Sequence, residues 1–68
     1  MEELIEIIDR QIQASKSQEE DLFNKMKGSD MPIYRYSCIK IILSLKANVR
    51  LLNEVKQDIK QREELDKQ

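Results

Sequence analysis

The sequence predicts an all-α protein: a two-helix antiparallel hairpin that dimerises into a four-helix bundle. Three observations lead there. Of the 68 residues, 40% are apolar and 37% charged, with one Gly and one Pro, the composition of long solvated helices. The apolar residues recur at spacings of three and four along both halves of the chain. Helix-stop and helix-start residues lie together in "KGSDMPIY", Lys27 to Tyr34.

The first helix is expected over about residues 2–27. Met1, Leu4, Ile5, Ile8, Ile12, Leu22, Phe23 and Met26 fall within roughly a 100° arc of a helical wheel, an amphipathic stripe that leaves Ile7 and Ala14 outside it. Between Ile12 and Leu22 the stripe runs through Ser15 and Glu19, both poor core residues. They form a loose seam there, or a polar device that fixes register or oligomeric state.

The connection is expected at residues 28–31. Gly28 can take the left-handed conformation that closes a helix. Ser29 and Asp30 can accept the free N–H groups of the next helix, and Pro32 fits its first turn, where a missing N–H costs nothing. So short a connection joins antiparallel neighbours.

The second helix is expected over about residues 32–66. Its core stripe is Cys38, Ile41, Ile42, Leu45, Val49, Leu52, Val55 and Ile59. Partial alternation around Ile39–Lys46 raises a strand reading, but Ile42 breaks it and no second strand is present to pair with the first. An unpaired strand leaves its backbone polar groups unsatisfied. Folding about the turn sets Phe23 near Cys38, Met26 near Tyr34, Ile12 near Val49, Ile8 near Leu52 and Met1 near Ile59. A charged overhang follows at residues 60–68, bracketed by the i,i+4 pairs Asp58–Arg62, Lys60–Glu64, Arg62–Asp66 and Glu63–Lys67.

Two helices cannot enclose a core. A chain this short rarely holds together without a disulfide, a metal or self-association, and a lone Cys with no His removes the first two. A symmetric homodimer is the simplest closed solution. The core and dimer candidates are therefore Leu4, Ile5, Ile8, Ile12, Leu22, Phe23, Met26, Cys38, Ile41, Ile42, Leu45, Val49, Leu52, Val55 and Ile59.

The chemistry-bearing inventory is thin, and no enzyme is expected. No His is available for proton transfer near neutral pH, and no glycine-rich phosphate loop exists. Cys38 lacks a His to activate it. Glu2–Glu6 and Glu54–Asp58 have the spacing of bundle metal ligands, but the Glu-x-x-His motif that completes such sites is missing. No cofactor or metal is expected.

The net charge of −1 argues against a protein devoted to neutralising phosphates. Charge is uneven, with seven acids and four bases in residues 1–27 against six and eight in residues 28–68. No targeting segment is visible, and the apolar run "CIKIILSLKANVRLL" is interrupted by Lys40, Ser44, Lys46 and Asn48, short of the roughly 20 residues that a membrane span needs. A single free Cys suits a reducing, cytoplasmic setting.

One feature rises above this background. Tyr36, Ile39, Leu43 and Ala47 form a second apolar line on the second helix, expected nearly opposite the core stripe, with Lys40, Lys46 and Arg50 beside it. Such a line suits docking of an amphipathic helix or groove on another protein. The first function expected is thus a small adaptor or regulator acting through protein–protein contact on the outer face of the second helix. A structural, self-assembling subunit ranks second. The overall plan resembles the Rop-type RNA-binding bundle, in architecture alone, and that resemblance implies an RNA-binding alternative ranked third. A membrane surface would want a denser basic face.

Overall fold

The structure, a computed structural model, describes residues 2–66 and is all-helical: α1 spans Glu2–Lys27 and α2 spans Pro32–Asp66. No strand occurs among the described residues. The two helices pack side by side as an antiparallel rod with extents of 57 × 15 × 11 Å.

Local chemistry explains the helices. Neither Gly nor Pro interrupts α1, and its ends complement the helix dipole, with Glu2 and Glu3 in the first turn and Lys25 and Lys27 in the last. The turn differs from expectation. Gly28 does not adopt a positive φ; its N–H continues the helical ladder to the Asn24 carbonyl at 3.2 Å, and the Ser29 N–H tightens the last turn by donating to Met26 O at 3.2 Å. The chain reverses without a left-handed residue. Ser29 Oγ then accepts the Met31 N–H at 3.2 Å, and the Met31 carbonyl accepts the first bond of α2, from Arg35 N at 3.1 Å. Pro32 follows as the first helical residue, where its fixed φ is pre-organised and no donor is lost.

The seam between the helices alternates strictly between steps of three and four. On α1 it runs Ile5, Ile8, Ile12, Ser15, Glu19, Leu22 and Met26; on α2 it runs Cys38, Ile42, Leu45, Val49, Leu52, Lys56, Ile59 and Glu63. All of these are buried or half-buried. This is the narrow seam of a two-stranded coiled coil.

Burial along the seam is uneven. Ile8, Ile12 and Ile59 form one buried cluster at the open end, flanked by Ile5, Val49 and Leu52. Cys38 and Ile42 are buried separately, near the turn. Ser15 and Glu19 lie half-buried between them. The polar pair foreseen in the stripe divides the core into two parts.

Register, core membership and overhang pairing all depart from expectation. The register differs: Ile59 packs in the cluster with Ile8 and Ile12, and Lys56 Nζ donates to Asp9 Oδ1 at 2.6 Å. α2 is therefore shifted by about one helical turn from the pairing of Ile8 with Leu52. That shift buries Ile59 instead of leaving it at the helix end; its expected neighbour Met1 lies outside the described residues. The core list also narrows. Leu4, Phe23, Ile41 and Val55 are between 41 and 50% exposed, because each is one step off the seam and projects to its side. In the overhang, Arg62 Nε reaches Asp58 Oδ2 at 3.0 Å, so the same guanidinium turns back toward Asp58 rather than on to Asp66. The expected Glu63–Lys67 pair lies outside the described residues.

Candidate functional site

A seam this narrow leaves two long flanks of the hairpin open. Each flank is built from the positions just beside the seam on both helices, so residues seven apart share a flank.

The first flank carries the candidate site. Phe23 and Met26 of α1 and Ile39, Ile42 and Leu43 of α2 line an open groove of about 490 Å³. Lys16, Glu19, Glu20 and Lys46 form its rim. Ile42 is buried and forms the floor, while Phe23, Ile39 and Leu43 are 45, 44 and 61% exposed and form the walls. Phe23 is held on its outer side by Lys27, whose Nζ sits 4.5 Å from the ring centroid. Tyr36, seven residues before Leu43, continues the same line toward the turn and is also exposed.

The candidate docking residues are therefore only partly brought together. Ile39, Leu43 and Lys46 join in the groove. They flank the seam instead of standing opposite it, and their neighbours are Phe23 and Met26, both expected in the core. Lys40 and Ala47 are exposed on the outermost line of α2, away from the groove lining. Arg50 is exposed and lies 4.0 Å from Glu54 along its own helix. The basic border expected for the site is thus replaced by a balanced rim of two lysines and two glutamates.

Sequence reasoning missed the contributions of Lys16 and Glu20. The signal was available in the strict three-four alternation: once Ile12, Ser15, Glu19 and Leu22 are taken as seam, Lys16, Glu20 and Phe23 must stand on one side of it.

The second flank is different. Gln11, Ala14, Ser15 and Gln18 of α1 and Asn48, Leu51 and Leu52 of α2 line a smaller, more polar depression of about 440 Å³. Heptad spacing extends this flank through Leu4 and Ile7 on α1, and through Ile41 and Val55 on α2; all four are exposed. Its charged residues are paired along their own helices, Asp21 with Lys25 at 3.1 Å and Asp58 with Arg62 at 3.0 Å. The hydrogen bond and charge of Asp21 hold the Lys25 ammonium above the ordinary lysine value.

Among the described residues no group of three or more His, Cys, Asp or Glu side chains converges as a metal site would require. Cys38, the free thiol, is 3% exposed within the seam. Among the described residues no helix is long and apolar enough to cross a membrane. In comparisons with known proteins, no family model, curated protein or solved structure matches the chain.

Proposed function

We propose that the protein is a small non-enzymatic adaptor or regulator. It dimerises into a four-helix bundle and binds an amphipathic helix of another protein in the Phe23–Ile39–Leu43 groove. One observation carries the reading: two helices contribute apolar walls to a single open groove whose floor, Ile42, is buried and whose rim is charged. Helix-in-groove recognition uses this geometry, with apolar anchors on one face of the ligand helix and polar residues at its edges. The rim of Lys16, Lys46, Glu19 and Glu20 favours a partner helix bordered by both signs of charge over a phosphate backbone, which would meet two carboxylates there.

Dimerisation is supported by the thin core. Only five apolar side chains are buried among the described residues, few for a chain whose lone cysteine cannot form an internal disulfide.

The test is a pull-down with the intact protein as bait, comparing wild type with the Ile39→Glu, Leu43→Glu double variant. Both positions are exposed, so helicity by circular dichroism should be unchanged. A discrete captured protein that disappears with the double variant supports the reading. Capture that survives the double variant, or unfolding caused by it, sinks the groove as the docking site.

A further inference from the structure

We infer that the second flank, centred on Ala14 and Asn48 and bordered by Leu4, Ile7, Ile41, Leu51 and Val55, is the face on which a second copy of this chain packs. The inference deepens the dimer reading above and assigns it a surface; the groove on the opposite flank is left free for a different partner.

Charge separates the two flanks. A two-fold axis sets equivalent neighbourhoods against each other, so a lone charge near the axis meets its own kind. The first flank carries Lys16, Lys46, Glu19 and Glu20 at its middle, and burying these four charges against a second copy would cost their hydration. On the second flank the centre is uncharged: Gln11, Ala14 and Gln18 on α1 face outward beside Ser44, Asn48 and Leu51 on α2. The amides there both donate and accept, so each can satisfy its own symmetry mate. The charges farther out are already paired within each helix, Asp21 with Lys25 and Asp58 with Arg62.

The distribution of size agrees. Ala14 lies midway along the flank and is exposed, and its small side chain lets the helices of two copies approach. Ile41 lies toward the turn, whereas Leu4, Ile7 and Val55 lie toward the open end. A perpendicular two-fold near Ala14 runs the two hairpins in opposite directions and sets Ile41 of each copy among the apolar residues of the other's open half. All five border residues are between 41 and 52% exposed in the single hairpin, so each has surface left to bury.

Sedimentation equilibrium across a hundredfold range of concentration tests the inference on the full chain. Wild type should run as a dimer. Leu51→Glu with Val55→Glu should shift the mass to a monomer, while Ile39→Glu with Leu43→Glu should leave the dimer in place. A second measurement does not depend on a variant that could unfold: under mild oxidation Asn48→Cys should form a disulfide-linked dimer, and Lys46→Cys, on the other flank, should not. A monomeric wild type overturns both the bundle and this surface. A dimer that dissociates with Ile39→Glu and Leu43→Glu, or cross-links through Lys46→Cys and not through Asn48→Cys, overturns only the assignment of faces.

Discussion

Lys56 of α2 donates to Asp9 of α1 at 2.6 Å, across 47 residues of sequence, and is the one ion pair between the helices among the described residues. The other pairs lie within single helices at i,i+4. Lys56 occupies a seam position, and its side chain is only 24% exposed. Its stem packs in the apolar seam while its ammonium reaches the edge, the usual solution for a long cation on apolar ground. An apolar residue at position 56 would pack at several registers. The lysine finds a carboxylate at one.

A double-mutant cycle on this pair, Asp9→Ala with Lys56→Ala, should return a coupling of about 0.5–1 kcal/mol in urea unfolding, toward the upper end of values for exposed pairs because the lysine is partly buried. Raising the salt concentration to 1 M should reduce it. A coupling indistinguishable from zero at low salt would show that packing alone sets the register.

Replacing Glu19 with Leu should stabilise the hairpin by about 1 kcal/mol, since a half-buried seam position would then carry apolar surface. Guanidinium unfolding followed by circular dichroism measures it. The gain comes from joining the Ile8–Ile12–Ile59 cluster to the pair Cys38 and Ile42. If stability falls instead, the carboxylate contributes to the assembly in its own right.

Gly28→Ala should also stabilise, by about 0.4–1 kcal/mol, through a reduced entropy of the unfolded chain. Gly28 has no positive φ, and an added methyl would meet Asn24 O and Lys25 O at 3.7 Å, ordinary contact distance. A lower midpoint of thermal unfolding would mean that the turn does require glycine's freedom in solution.

Cys38 should react slowly with a thiol reagent in the native protein, and its labelling rate should rise with urea in step with unfolding, because the side chain is 3% exposed. Labelling at the rate of a free thiol without denaturant would place the turn-proximal core among the easily opened parts of the molecule.

The class of the fold and the presence of two helices were legible because they depend on periodicity and on the Gly28–Pro32 punctuation, both local properties. The polar gap at Ser15 and Glu19 was legible for the same reason. The register was not. It depends on how the turn spends residues 28–31 and on a pair, Asp9 and Lys56, that no local rule connects. Nor was it legible from the wheel which apolar residues leave the seam. An arc of about 100° admits Leu4 and Phe23 together with their neighbours Ile5 and Leu22, whereas a coiled-coil seam takes one residue from each such pair. The wheel likewise set Ile39 and Leu43 opposite the core, although they border it. The groove is the product of that narrowing: Phe23, displaced to one side of α1, comes beside Ile39 and Leu43, displaced to the same side of α2.

The division of the seam at Ser15 and Glu19 bears on how the molecule moves. Cooperative unfolding needs each layer of the core to lean on the next, and here the middle layers are half-buried and partly polar. The two ends of the rod should therefore breathe on separate clocks. Amide hydrogen exchange would show the difference, with residues around Ile8, Ile12 and Ile59 losing protection independently of those around Cys38 and Ile42. An occupant of the groove touches the turn-proximal end, so it would quiet that end alone.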